Sequence, residues 1–205
     1  TTTRMTDRID HDAVYNVLFA NLRISSVEDR YKLREFSRRF VFKTYAPGDE
    51  LWSLQSTEGD LQVILTGAFG EYLKEQDEYH LLRFYRKGKC AFSEDLLIYS
   101  QPAETIAKCL VEGVVASIPR AQILLMSEGN DFGPRLISGL INLSMTEYRH
   151  TTYEMLQTSV ESRIKAALEQ FPELLNVIPR KEVGDYLGIS RASLFRTLKM
   201  FGDEK

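Results

Sequence analysis

The chain has 205 residues, 43% of them hydrophobic and 11% aromatic, which suits a globular protein with one or two modest cores and excludes a disordered chain. A net charge of -3 excludes wholesale electrostatic coating of nucleic acid or of an anionic membrane, so any DNA contact must come from a locally basic element. Cys90 and Cys109 are too few for a disulfide framework or an iron-sulfur cluster and too far apart for a CxxC motif, a usage that fits a reducing cytoplasm.

The polar start, Thr1 to Asp12, lacks the basic-then-apolar layout of a secretory signal, and no window approaches 18 consecutive apolar residues. A cytoplasmic protein with no membrane partner is expected. From Val14 to Phe40, Val14, Val17, Leu18 and Leu22, then Tyr31, Leu33 and Phe36, recur at helical spacings, with Ser25-Ser26 as a cap between two short helices. The period then changes. Phe40–Tyr45, Leu51–Leu54, Leu61–Leu65, Phe69–Lys74, Tyr79–Tyr85, Thr105–Val111 and Val114–Ile118 are short β-branched or aromatic runs, each a predicted strand. Pro47-Gly48-Asp49, Glu58-Gly59-Asp60, Thr66-Gly67, Lys87-Gly88-Lys89 and Glu112-Gly113 separate them as turns. Many short strands between glycine turns predict a barrel or cupin-like jelly roll.

The strand pattern ends after Pro119. From Pro134 a long helix is predicted, with Leu136, Leu140 and Leu143 at i, i+4 and i+7, flanked by Ile137, Ile141, Met145 and Tyr148. About 23 residues at 1.5 Å each give a rod of roughly 34 Å, too long for one small barrel to cover. Leu136, Leu140, Leu143 and Tyr148 are therefore expected to form a coiled-coil-like homodimer seam, and packing on the helix's own domain is the competing reading. The repeat fades where Glu147, His150 and Glu154 occupy its continuing positions. Thr158-Ser159 reads as a hinge or cap before a helix carrying Val160, Ile164, Ala167 and Leu168. The chain thus divides into a sensory barrel with flanking helices (1–132), a dimerisation helix (133–157) and a C-terminal domain (158–205).

The C-terminal domain carries the most specific signal. A helix near Arg180–Leu187 puts Val183 and Leu187 inward, Gly188 permits a sharp turn, and Ser190 caps a second helix that buries Leu194 and Leu198. The outward face of that helix is expected to carry Arg191, Ser193, Arg196, Thr197 and Lys199, with no acidic residue from Ser190 to Gly202. Such a face suits the major groove, where arginine binds guanine bidentately while lysine and hydroxyls hold phosphates. Arg180, Ser190, Arg191, Ser193, Arg196, Thr197 and Lys199 are the candidate DNA-binding residues.

Arg180-Lys181-Glu182-Val183-Gly184, Gly188-Ile189-Ser190-Arg191 and Arg196–Met200 together resemble the helix-turn-helix of the cyclic-AMP receptor protein / fumarate-nitrate reduction regulator (Crp/Fnr) superfamily. The resemblance extends upstream over nearly the whole chain, through Tyr45-Ala46-Pro47-Gly48-Asp49, Glu58-Gly59-Asp60, Val63–Gly67, Leu82–Gly88 and Val160–Leu168. It implies an α+β protein: a cyclic-nucleotide-binding-like barrel, a long dimerisation helix and a winged helix-turn-helix whose wing is not within these residues. It also implies that Arg191 and Arg196 read or flank bases. Ala192 stands where the family usually has Glu, so a different base sequence is expected.

Cyclic-nucleotide-binding members have a Phe-Gly-Glu turn followed by Arg-(Ser/Thr). Here the cassette reads Phe92-Ser93-Glu94, and Glu104-Thr105 occupies the Arg-(Ser/Thr) position. A carboxylate in place of the arginine would repel a phosphate, so ordinary cyclic-AMP binding is disfavoured, and Arg83 or Lys108 could supply a cation only from a different geometry. Phe84, Phe92, Ser93, Glu94, Glu104 and Thr105 are the candidate effector-pocket residues, with Tyr85 and Tyr99 as further aromatics near it. The pocket is expected to be vestigial or to hold an unrelated small molecule. A cyclic-nucleotide-responsive regulator with an altered cassette, or an effector-free protein-interaction module, are the alternatives. His80, Cys90 and Cys109 are weak haem-ligand candidates, and no cofactor is expected. His11, His80 and His150 are too scattered for a metal centre, so an enzyme is not expected. The expected partners are double-stranded DNA bearing a pseudo-palindromic site, a second copy of the chain, and RNA polymerase as a further candidate.

Overall fold

Val14, Leu18 and Leu22 fall on one face of α1 (His11–Leu22), while Leu33 and Phe36 do so on α2 (Val27–Ser37), and all five are buried against a common core. Ser26 caps α2, its hydroxyl accepting from the Asp29 amide, as the sequence leads one to expect; its neighbour Ser25 lies outside the described residues. The computed structural model describes residues 11–22, 24, 26–126, 131–157, 159–172 and 174–203.

Eight strands follow: β1 (Val41–Tyr45), β2 (Glu50–Trp52), β3 (Asp60–Ile64), β4 (Ala68–Glu75), β5 (Glu78–Arg86), β6 (Cys90–Ala91), β7 (Thr105–Val111) and β8 (Gly113–Pro119). All seven expected runs contribute a strand. Cys90–Ala91 was not expected, because two residues are too short to show a period of two. The strands form two antiparallel sheets, ordered β1-β8-β3-β6 and β2-β7-β4-β5, the jelly-roll arrangement. Tyr45, Ile64 and Val115 of the first sheet meet Trp52, Phe69 and Tyr85 of the second in a shared core.

A one-residue slip in the β4–β5 pairing, between Glu71 and Tyr72, leaves Leu82 without a partner across the ladder: Glu71 pairs with Arg83, yet Tyr72 pairs with Leu81. A bulge of this kind switches which face later side chains occupy. Phe69, Glu71, Arg83 and Tyr85 therefore turn into the barrel, whereas Tyr72 and Leu81 join a separate cluster on the outside. Gly70 makes room for that outer layer, since a Cβ there would lie 2.8 Å from the Tyr72 ring.

After β8 come α3 (Arg120–Leu125) and the long α4 (Phe132–Gln157), 26 residues in all. The seam expected on α4 needs correction. Leu136 and Leu140 are 3% and 0% exposed, buried within this same chain against Val14, Leu18, Leu22 and Phe36, and Leu143 packs against the same cluster. Tyr148 is half-exposed, one side of its ring resting on Arg83, and Met145, Tyr153 and Leu156 are more exposed still. The stripe was broad enough for two contacts, and its deeper row belongs to the N-terminal helices. Polar ties continue down the rod: Arg135 to Asp29 at 3.0 Å, Ser144 to Glu94, and Glu147 to Lys89 at 3.0 Å.

Four shorter helices follow among the described residues: α5 (Val160–Gln170), α6 (Leu174–Val177), α7 (Arg180–Leu187) and α8 (Arg191–Asp203). Ser159 caps α5 by accepting from the Ser162 amide at 3.1 Å, and Thr158 lies outside the described residues. Among the described residues, no helix is long and apolar enough to cross a membrane.

Candidate nucleic-acid interface and interior site

Ile164, Leu174, Ile178, Val183, Leu187 and Leu194 are buried together and hold α5 to α8 as one unit. The chain passes from α7 to α8 through Gly188 at φ +62°, the left-handed conformation that glycine adopts without a Cβ clash. Arg163 braces the turn, donating from Nη1 to the carbonyl of Leu187 at 2.7 Å. Sequence reasoning placed Arg163 only within a resembling stretch and missed this role. Ser190 caps α8, accepting from the Ser193 amide at 3.2 Å and donating to its hydroxyl at 3.0 Å.

On α8, Arg196 and Lys199 are exposed on the side away from Leu194, Arg191 is exposed at the start of the helix, and Arg180 at the start of α7 is exposed as well. Thr197 does not join them. It is 9% exposed and faces inward one turn from Leu194, because positions i and i+3 share a helix face. Ser193 is half-buried and occupied by Ser190. The outward face also carries Phe195, which sequence reasoning did not single out. The Arg180 and Arg191 guanidiniums lie 4.7 and 5.5 Å from its ring centroid, and Arg180, Phe195, Arg196, Leu198 and Lys199 line a groove. The first turn of α8 holds no acidic residue.

This helical unit docks on the outer face of the second sheet, to which the bulge adds Leu81. Tyr72, Leu81 and Ile106 join its core, and Phe84 meets Phe171 with ring centroids 4.5 Å apart. Polar contacts rim the patch: Tyr72 Oη donates to Glu182 at 2.9 Å, Lys181 pairs with Glu78 at 2.8 Å, and His80 Nδ1 lies 3.5 Å from Asp185. Burial and the Glu182 carboxylate push the Tyr72 hydroxyl well above its ordinary range.

Inside the barrel, Arg83 is the hub. Its Nη2 bonds Glu94 at 2.7 Å, its Nε lies 3.7 Å from Glu71, and its guanidinium sits 4.0 Å from the Tyr148 ring centroid on α4. Glu71 is 2% exposed and accepts from Tyr85 at 2.6 Å and from Thr105 at 2.8 Å, while Trp52 Nε1 donates to Thr105 at 3.2 Å. Burial raises the Glu71 carboxyl against the opposing pull of Arg83 and the two hydroxyls. Although burial alone would disfavour its charge, Tyr85 and the two carboxylates hold Arg83 above its ordinary range.

Of the six expected pocket residues, Glu94 and Thr105 therefore meet in one network. Phe84 lies instead on the outer face against Phe171, because it alternates with the inward Arg83 and Tyr85. Phe92 is buried among the N-terminal helices' contacts, Ser93 is buried with its hydroxyl accepting from the Leu96 amide, and Glu104 is exposed with its amide donating to Asp95. Of the other aromatics, Tyr85 belongs to the network and Tyr99 is exposed. Of the two substitute cations, Arg83 is inward but already neutralised, and Lys108 stacks outside, 4.6 Å from the Tyr79 ring centroid. The three weak haem candidates lie apart: His80 at the docked face, Cys90 and Cys109 in different clusters, with burial pushing the Cys90 thiol up to about 12.

No protein-family model matches the chain, and a search of curated proteins finds no match. Solved structures do share its fold. FixK2 from Bradyrhizobium japonicum superimposes with a TM-score of 0.63 over 80% of this chain and 85% of its own, at 18% identity. The c-di-GMP responsive global regulator CLP of Xanthomonas campestris gives 0.59 over 85% and 92%, at 18% identity. The catabolite activator protein of Thermus thermophilus gives 0.53 over 92% and 87%, at 17% identity. These likenesses show that the chain shares the fold of these regulators.

Proposed function

We propose that the chain is a sequence-specific, DNA-binding transcription regulator of the Crp/Fnr type rather than an enzyme, acting in the cytoplasm as a homodimer. In this reading residues 1–132 form the sensory barrel, 133–157 the dimerisation helix and 158–205 a helix-turn-helix domain. The observation that carries it is the outward face of α8, where Arg191, Arg196 and Lys199 stand exposed behind a glycine turn while the opposite face is buried. In a dimer, two such helices about 34 Å apart would enter successive major grooves of a pseudo-palindromic site. Arg191 and Arg196 meet base edges, and Arg180, Lys199, Ser190 and Ser193 stand near phosphates. Thr197 keeps a packing role. RNA polymerase is the further partner such a regulator would contact.

The test is binding to selected duplexes across a salt series. Log affinity should fall linearly with log salt at a slope set by the phosphates neutralised. Arg196→Ala should cost about 1 to 3 kcal/mol on the specific site and relax one base preference. A protein-interaction module would show no salt-dependent affinity for any duplex.

The interior network supports an effector domain that does not take cyclic AMP in the ordinary way. Its single cation is engaged by Glu71 and Glu94, so a phosphate entering there would face two carboxylates. Millimolar cyclic AMP should therefore leave the melting temperature unmoved, whereas a ligand at a hundred times its Kd adds about 2.7 kcal/mol. A clear upward shift would favour the cyclic-nucleotide-responsive alternative.

A further inference from the structure

Phe195 is 39% exposed, in the middle of the cationic face of α8. Nothing in the helical core needs it there, since Leu194, Thr197 and Leu198 already supply the buried side of the helix. Two guanidiniums, those of Arg180 and Arg191, lie within 5.5 Å of its ring centroid. Cation-π contacts of this kind orient the ring and both cations together. Ala192, one turn earlier on the same exposed side, extends the apolar strip, and Arg191, Arg196 and Lys199 border it.

Such a surface calls for an apolar group set within a polyanion. The cations disfavour a purely apolar protein partner, and duplex DNA supplies the required combination. Along the floor of the major groove the apolar feature of the base edges is the C5-methyl of thymine, flanked by acceptor-rich edges and phosphates. We propose that Phe195, with Ala192 beside it, reads a thymine C5-methyl group in the operator, so that this regulator discriminates a 5-methylpyrimidine through an apolar contact rather than through arginine alone. The inference rests on the DNA-binding reading above and adds a ligand group to it. It also gives Ala192 a purpose: a carboxylate at that position would put a charge on the strip and oppose both the methyl and the phosphates.

The experiment uses the operator recovered by selection from random duplexes, with each thymine replaced in turn by deoxyuridine, which removes the methyl and leaves the pairing edge intact. The wild-type protein should lose about fourfold in affinity at one such position in each half-site, the weight of one buried methyl. Phe195→Ala should lose affinity for the unmodified operator and show no further loss on deoxyuridine at that position. Its melting temperature and its salt slope on non-specific DNA should stay those of the wild type, because the ring lies outside the core. Phe195→Leu should retain part of the methyl dependence. If every deoxyuridine costs wild type and Phe195→Ala equally, while specific binding persists, the methyl contact is wrong and the regulator reading stands. If no duplex is bound specifically, the regulator reading fails and this inference with it.

Discussion

Replacing Arg83 by leucine should lower the unfolding free energy by about 3 to 5 kcal/mol at pH 7, the cost of leaving buried carboxylates without their cation. Among the described residues Arg83 is the cation paired with both Glu71 and Glu94, and Glu71 is almost wholly enclosed. The loss should depend on pH in a defined direction. Burial already raises the Glu71 carboxyl, and without Arg83 it rises further. A carboxyl whose folded value lies above its unfolded value binds more protons when folded, so stability falls as pH climbs from the unfolded value through the folded one. The deficit of the variant should therefore shrink as the pH is lowered from 7 towards 5, and adding Glu71→Gln should recover part of it at pH 7. Urea unfolding followed by circular dichroism at the two pH values checks this. An equal deficit at both would show that the guanidinium contributes by packing on Tyr148 and not by charge.

Leu140→Ala should cost about 2 to 5 kcal/mol in unfolding and leave the oligomeric state unchanged at temperatures where the chain remains folded. Leu140 is fully buried against α1 and α2, and a leucine removed from a packed core leaves a cavity its neighbours fill only in part. Met145→Glu combined with Leu156→Glu should do the reverse. These side chains are 58% and 80% exposed in the single chain, so the fold should tolerate the change, while the proposed homodimer should dissociate if its seam runs along this row. Sedimentation and thermal melting of the two variants should give opposite patterns. Dissociation by Leu140→Ala with an unchanged melting temperature would restore the deeper row to the dimer seam.

The jelly roll was legible because its strands are short, rich in β-branched and aromatic residues, and separated by glycine turns. The cap at Ser190 and the turn at Gly188 were legible because those residue types serve particular backbone geometries. What remained hidden is of a different kind. A helical stripe states which residues are apolar and leaves open what covers each row, so Leu136 and Leu140 read as seam although α1 and α2 lie over them. Thr197 read as outward from composition, and only its spacing from Leu194 decides its face. The β4–β5 bulge has no glycine or proline to mark it. It turns Leu81 outward, whereas Phe84 lies outside by plain alternation with Arg83 and Tyr85, and Arg83 read as a substitute cation because its carboxylate partners are distant in sequence.

Arg83 and Leu81 stand only two positions apart on β5, a span of about 7 Å, yet one points into the barrel and the other supports the docked helices. The same short stretch of strand thus holds side chains on both faces of the wall. A change at the Arg83–Glu94 pair therefore acts on the same strand that carries the docked helices. Two sets of contacts therefore meet at this strand: Glu94 and Arg83 reach Ser144 and Tyr148 on α4, and the strand itself packs against α7.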